Sequence, residues 1–390
     1  MSGTYTLYGG DISYFSGKAR AYLRAKGIPY EELPATREVY KEIILPRVGW
    51  PVIPVVVTPD RETLQDTTDI IDALEVVFPN ASVYPAGPRQ RLVALLLEVY
   101  GDEWLKIPAM HYRWNRNTDW IIEQFGRLSN PDASAEEARA IGERTCRPFR
   151  GSLPPLGVND ATIPAIEASY EALLGELDAH FATHDFLLGD RPCIGDFGLI
   201  GPLYAHQYRD PASGELMRRL APNVVLWVDR MMEGTGLEER RRARTEPFEG
   251  VDRRASADDA PGFLPDDEVP ATLLPVLRRM VDEYFPVLDA ELTAFDAWAD
   301  EHAGEEVPRA LGMHSFTLGR GTAHEVTSER AAFTFDLWMF QRPRDFLAGL
   351  DGADRAACEA LMTGLGGLEV LTRETRHRLA RENFRLVLAG

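Results

Sequence analysis

Two short stretches of this sequence carry residue types whose order and spacing could do chemistry. Ile53-Pro54 lies inside PVIPVVV, residues 51–57, an apolar run of strand length. A proline there contradicts a central strand unless the strand is at a sheet edge or the peptide bond is cis. A cis bond would turn the Ile53 backbone outward, leaving its N–H and C=O free to pair with an extended peptide. A plain edge-strand proline is the simpler alternative. Further on, Asp66-Thr67 opens a helical pattern. The pair could be an ordinary N-cap. It could also recognise an α-amino acid end: Asp66 would accept from an ammonium group, and Thr67 with the helix N-terminus would donate to a carboxylate.

The elements that must position these residues follow from periodicity. Residues 4–9 read as a strand, and Ser13 to Lys26 as a helix with Ala19, Tyr22 and Leu23 on one side, stopped by Gly27. Tyr30–Leu33 reads as a second strand, followed by a helical stretch carrying Lys41. The run at 51–57 is a third strand and Thr63–Leu64 a fourth, joined by a turn-like TPDRE. From Asp66 the residues Ile70, Ile71, Leu74, Val77 and Phe78 recur at helical spacing. The order β-α-β-α-β-β-α occupies residues 1–80.

After a Pro- and Gly-containing linker at 79–90, the pattern is helical to about Arg244, broken by a loop-rich stretch at 148–163. Residues 245–269 are acidic and turn-rich, a second boundary. Domains are therefore expected at 1–80, 91–244 and 265–390. The last segment should hold two or three helices and one hairpin, SFTLGRGTAHEV at 315–326, turning around Gly319–Gly321.

The βαβ order, Ile53-Pro54 and Asp66-Thr67 together resemble the cytosolic glutathione transferase family, in the stretch VIPVVVTPDRETLQDTTDIIDALEVVFP, residues 52–79. The commoner family form has Glu or Gln followed by Ser. A second match, FLLGDRPCIGDFGLIGPLYAH at 186–206, resembles the family's buried capping motif, with Cys193 in place of the hydroxyl residue and Asp196 retained. That aspartate should reach back to free N–H groups at a helix start, a structural role. The match covers roughly residues 4–240.

The resemblance implies an α/β thioredoxin-like N-terminal domain, an all-α C-terminal domain, and glutathione as co-substrate. Setting SYFSGKARAYLRAKGIPYEE (13–32) against Ser- and Cys-type members puts Ser13 at the thiol-activating position, as in a bacterial Ser-type enzyme with a long C-terminal extension; Tyr14 and Ser16 are the neighbouring alternatives. Ser13 would donate to the glutathione sulfur and the helix N-terminus would add positive potential. Lowering a thiol pKa by about two units corresponds to roughly 2.7 kcal/mol. Ile53 and Pro54 would bind the peptide backbone, Asp66 and Thr67 the γ-glutamyl end, and Lys41 would meet the glycine carboxylate unless it is a solvated helix lysine. Trp104, Met110, Tyr112, Trp114 and Trp120 could line a pocket for a small hydrophobic electrophile, or form core. The Phe333, Phe335, Trp338 and Phe340 group invites the same two readings. A homodimer is implied as well.

Composition bounds the alternatives. A chain of 390 residues exceeds one ordinary domain. A net charge of −19, with lysine only at 18, 26, 41 and 106, argues against nucleic acid, so an anionic ligand must rely on local positive potential. No apolar run is of membrane-spanning length, and the start MSGTYTLYGG has no secretion-signal pattern, so a reducing cytoplasm is expected. Three scattered cysteines suggest neither a disulfide framework nor a metal cluster. None lies in the first helix, which weighs against a thiol–disulfide oxidoreductase. A non-catalytic binding or adaptor protein of the same fold is the competing reading.

Overall fold

The structure, a computed structural model, describes residues 3–233, 262–303 and 305–389. The last residues of the expected helical run, 234–244, and most of the acidic boundary at 245–269 fall outside them.

The N-terminal region follows the expected order. Strand β1 (Tyr5–Gly9) leads to α1 (Tyr14–Ala25), β2 (Tyr30–Pro34), a helical stretch α2 over residues 37–48, β3 (Val55–Val57), β4 (Thr63–Gln65) and α3 (Thr67–Val77). The sheet order is β2-β1-β3-β4, with β1 parallel to β2 and antiparallel to β3. Alternation in β1 buries Tyr5, Leu7 and Gly9. Gly27 ends α1 at φ 62°, where its own N–H reaches the Arg24 carbonyl and that of Ile28 reaches the Leu23 carbonyl; this paired closure needs a left-handed residue that glycine adopts without strain. Of the apolar run 51–57 only Val55–Val57 is strand, and the Ile53-Pro54 bond ahead of it is cis.

A long helical segment, α4, covers residues 88–116, followed by α5 (Thr118–Ser129), α6 (Ala135–Thr145), a single turn at Arg147–Arg150, α7 (Ile163–Phe181), α8 (Ile194–Pro202, continuing through Leu203–Tyr208), α9 (Pro211–Leu220) and α10 (Pro222–Glu233). Helices α4 and α8 cross at glycines: a Cβ on Gly101 would stand 2.4 Å from the Gly198 carbonyl carbon. Only backbone-to-backbone approach fits there.

The C-terminal region holds α11 (Leu274–Glu301), the hairpin β5 (Ala310–Leu318) and β6 (Val326–Phe333), then α12 (Thr334–Ala348), α13 (Gly352–Leu365) and α14 (Leu368–Thr372). The Gly319–Gly321 hairpin is present, with longer strands than expected. Two corrections apply. Four helices are present among the described residues where two or three were expected, and a second hairpin, β7 (Leu379–Glu382) and β8 (Arg385–Leu388), closes the chain. Four-residue strands carry too little alternation to stand out in a sequence.

One continuous apolar core runs through all three regions, from Leu7 and Leu23 through Leu96, Phe197 and Trp227 to Leu277, Leu288 and Phe340. Aromatic contacts cross the junctions: Trp104 stacks on Tyr284 with ring centroids 5.1 Å apart. The C-terminal region therefore shares the hydrophobic core of the helical part instead of forming its own.

Candidate functional site

Strand register decides what gathers at one end of the sheet. Tyr8 of β1 pairs with Val55 of β3, and Val55 pairs with Gln65 of β4. The loop from Gly10 to Ser13, the cis Pro54 and the Asp66 cap therefore leave the sheet at the same end, brought together by two antiparallel pairings.

Ser13 caps α1. Its Oγ accepts from the Ser16 N–H at 3.2 Å, with backbone angles (φ −83°, ψ 126°) suited to an N-cap. The side chain is half-buried, and among the described residues its hydroxyl has no acceptor for its own proton. The neighbours differ. Tyr14 is buried and donates to the Gly101 carbonyl, with its ring edge-on to His206. Ser16 is fully buried behind Gly9.

The loop before Ser13 is clamped from the helical region. Arg113 Nη1 donates to the Ile12 carbonyl at 2.7 Å, while Nε and Nη2 pair with both oxygens of Asp210 at 2.8 and 2.9 Å. Its remaining contact is the Ala205 carbonyl at 2.6 Å. Sequence reasoning missed this residue; an arginine on an amphipathic helix carries no sign of where it will point.

Asp66 caps α3 from a strained backbone, φ 73° and ψ 133°, and its Oδ1 accepts from the Thr68 N–H at 2.9 Å. Thr67 is buried. Next to it in the first turn, the Thr68 hydroxyl donates to Glu98 Oε1 at 3.0 Å. That carboxylate also takes Lys18 Nζ at 2.8 Å, and Lys18 bridges on to Asp102 at 2.5 Å. A fully buried ammonium between two carboxylates thus locks α1, α3 and α4 together. Burial pushes the Asp102 carboxyl up, against the pull of Lys18.

Lys41 takes no part in this corner's hydrogen bonding. Its side chain is 79% exposed and paired with Glu42 at 2.8 Å. The aromatic residues of α4 divide. Trp104 and Tyr112 are buried core, the latter 5.4 Å from the Tyr170 ring. Trp114 packs with Ile12 in a small cluster that Met110 and Trp120 flank, and it also lines a cavity of about 430 Å³ with Asn115, Leu153 and Val158. Asp196 is fully buried and structural, accepting from the N–H groups of Cys193 (2.9 Å) and Leu187 (3.2 Å) and from Trp227 Nε1 (2.9 Å). All three cysteines are buried and free, and burial pushes Cys146 and Cys358 up to about 11, which makes them poor nucleophiles. Among the described residues no helix is long and apolar enough to cross a membrane.

The residue least visible from sequence is Arg381 on β7. Its guanidinium reaches back to Gln65, whose side chain is buried at the end of β4: Nη2 lies 2.7 Å from Gln65 Oε1. It also pairs with Asp69 on α3.

Comparison with known proteins agrees with the geometry at the level of fold. The family profile described as "Glutathione S-transferase, N-terminal domain" matches residues 7–82, and "Glutathione S-transferase, C-terminal domain" matches residues 160–230. No curated protein matches the chain. Among solved structures, a glutathione S-transferase from Rhodospirillum rubrum F11 is 17% identical, covering 60% of this chain and 91% of its own, with a TM-score of 0.39. The beta-etherase LigF from Sphingobium sp. strain SYK-6 is 17% identical over 62% of this chain and 100% of its own, with a TM-score of 0.45. FzlA from C. crescentus is 18% identical over 59% of this chain and 88% of its own, with a TM-score of 0.36. The chain has a glutathione-transferase-superfamily fold, with an N-terminal and a C-terminal glutathione S-transferase domain and an additional C-terminal region.

Proposed function

We propose that this protein is a glutathione transferase in which Ser13 holds the thiolate of glutathione for attack on a small hydrophobic electrophile. The observation that carries the reading is the convergence, by strand register, of the Ser13 cap, the cis Ile53-Pro54 bond and the Asp66 cap at one end of the sheet. Each supplies what one part of the tripeptide needs. The Ile53 N–H and C=O would pair with the cysteinyl unit. Asp66 would accept from the α-ammonium group, and Thr67 with the N-terminus of α3 would donate to the α-carboxylate. Ser13 Oγ, already accepting from Ser16 N–H, keeps its proton for the sulfur.

In the reaction the thiol proton leaves to solvent, and the Ser13 hydroxyl with the α1 N-terminus stabilises the sulfur's negative charge. A sulfur lone pair then forms the S–C bond as the leaving group departs with its electron pair. The cavity lined by Trp114, Leu153 and Val158 would take the apolar electrophile, and Trp114 packs on Ile12 next to Ser13. Cytoplasmic localisation and a homodimer belong to the same reading.

The test is calorimetric titration of reduced glutathione into wild type and Ser13→Ala, with the ultraviolet difference spectrum of bound thiolate. Wild type should bind and show thiolate near neutral pH; the variant should bind within a few-fold and lose the thiolate signal. Failure of wild type to bind at millimolar glutathione rejects the transferase reading. A second reading, a protein of this fold that binds without catalysing, is favoured by the Arg381 contact with Gln65 and Asp69 at the site's edge.

A further inference from the structure

We propose that the C-terminal hairpin is an intramolecular occupant of the γ-glutamyl end of the glutathione site, so that glutathione binds by displacing it; this rests on the glutathione reading above. The hairpin is a preformed unit. Its strands pair through Glu382 and Arg385, and the two turn residues, Asn383 and Phe384, have φ of 48° and 63°. Two consecutive positive φ values give the tight turn whose twist matches the flanking strands.

Arg381 projects from β7 onto the residues that would read the amino-acid end of glutathione. Nη2 lies 2.7 Å from Gln65 Oε1, and Nη1 lies 3.4 Å from the Gln65 carbonyl and 4.0 Å from Asp66 Oδ1, while also pairing with Asp69. The side chain is 8% exposed, its Nε is buried without a partner, and the guanidinium lies over the Trp338 ring at 5.3 Å. The bound α-ammonium of glutathione needs the same carboxylate field. Two cations cannot share that field without mutual repulsion, so a bound ammonium and a docked Arg381 oppose each other.

The remaining contacts follow the same edge of the fold. Phe384 at the hairpin tip packs against the cluster of Ala35, Ile44, Val48, Val55 and Val57, which Ile53 and Trp50 also flank. The hairpin thereby touches the apolar patch that carries the cis Pro54 strand as well as the acidic cap. Just ahead of β5, Arg309 lies 4.6 Å over the Trp50 ring. At its root the hairpin is held by Gln341 of α12, whose side chain donates to the Leu379 carbonyl at 2.9 Å and accepts from its N–H at 2.8 Å. That clamp leaves Leu379 fixed while the residues beyond it swing. The apparent affinity for glutathione is then reduced by the fraction of molecules with the hairpin displaced.

The experiment titrates reduced glutathione into full-length wild type, Arg381→Ala and Phe384→Ala, with hydrogen exchange of residues 379–388 and unfolding midpoints followed in parallel. Each variant removes a different contact, so a folding defect in one leaves the other to decide. Each folded variant should bind about tenfold more tightly than wild type, and glutathione should accelerate exchange of 379–388 in wild type. Equal or weaker binding by the variants overturns the proposal, as does protection of the hairpin by glutathione, which would make Arg381 part of the ligand's own binding set. If wild type binds and the variants do not differ from it, only the hairpin proposal falls. If no form binds although the variants exchange faster in 379–388, the glutathione reading falls with it.

Discussion

Arg113 and Asp210 form a two-point ion pair, Nε to Oδ2 at 2.8 Å and Nη2 to Oδ1 at 2.9 Å, with both side chains almost wholly removed from solvent. The pair belongs to the helical region, yet the third nitrogen of Arg113 holds the Ile12 carbonyl, one residue before Ser13. Placement of the proposed thiol-activating hydroxyl thus depends on a charge pair in another part of the chain.

Removing one partner of such a pair strands the other. Arg113→Ala should cost about 3–5 kcal/mol in urea unfolding, because Asp210 stays buried without its counter-charge. Arg113→Met with Asp210→Asn should recover much of that loss. The double variant should still lose thiolate stabilisation, since nothing then holds Ile12; a full return of the thiolate signal would show that Arg113 has no positioning role.

Asp66 separates stability from binding. Its φ of 73° is strained for a residue with a Cβ, by on the order of 1–3 kcal/mol, while a glycine cap loses only a few tenths. Asp66→Gly should therefore match or exceed wild type in thermal stability and bind glutathione at least about tenfold more weakly, one lost charge-assisted contact being worth roughly that factor. Asp66→Ala keeps the strain, loses the cap, and should be less stable than wild type by about 1 kcal/mol. Unaltered glutathione affinity in Asp66→Gly would remove Asp66 from the site.

His180 sets part of the acid response. It is fully buried, hydrogen-bonded to Thr272 Oγ1 at 2.9 Å and stacked on His184 at 4.7 Å; burial first, and His184 second, push it down to about 4. A histidine whose folded pKa lies below its unfolded value near 6.5 stabilises the fold fully above that value. As pH falls from 6.5 towards 4, the unfolded state binds the proton first and stability drops, by about 1.4 kcal/mol per unit and roughly 3 kcal/mol in all. His180→Asn should be less stable at pH 7.5 but should lose less on acidification to pH 4.5. Parallel stability curves for the two proteins would refute the assignment.

The shared core makes a prediction about cooperativity. Phe340 of α12 is fully buried and meets Phe285 edge-on at 5.6 Å. Phe340→Ala should cost about 3–5 kcal/mol. Because the core is continuous, far-ultraviolet circular dichroism and tryptophan fluorescence should shift together. Separate transitions would mean that the C-terminal region unfolds as an independent unit.

The fold was legible where residues near in sequence determine it. Helix periodicity, Gly27 as a stop, the Asp66 cap and the Gly319–Gly321 hairpin are local, and each follows from backbone preferences that a few neighbours express. Pro54 announced a special backbone inside an apolar run, because a proline has so few ways to sit there. Asp196 was recognisable as a structural cap, since the two backbone N–H groups it accepts from lie within nine residues of it.

What the tertiary structure alone decided involves charges and long separations. Whether Lys18 is solvated or buried between Glu98 and Asp102 depends on how α1 packs against α4, two helices some eighty residues apart in the chain. Arg381 meets Gln65 across 316 positions, and no periodicity in either segment encodes the other. An arginine is soluble, long and compatible with many surroundings, so its partner is chosen by packing. Sequence by itself determined the local scaffold of the glutathione-transferase-superfamily fold; only the folded chain decided that Arg381 of the C-terminal hairpin lies against Gln65 and Asp69, 4.0 Å from Asp66.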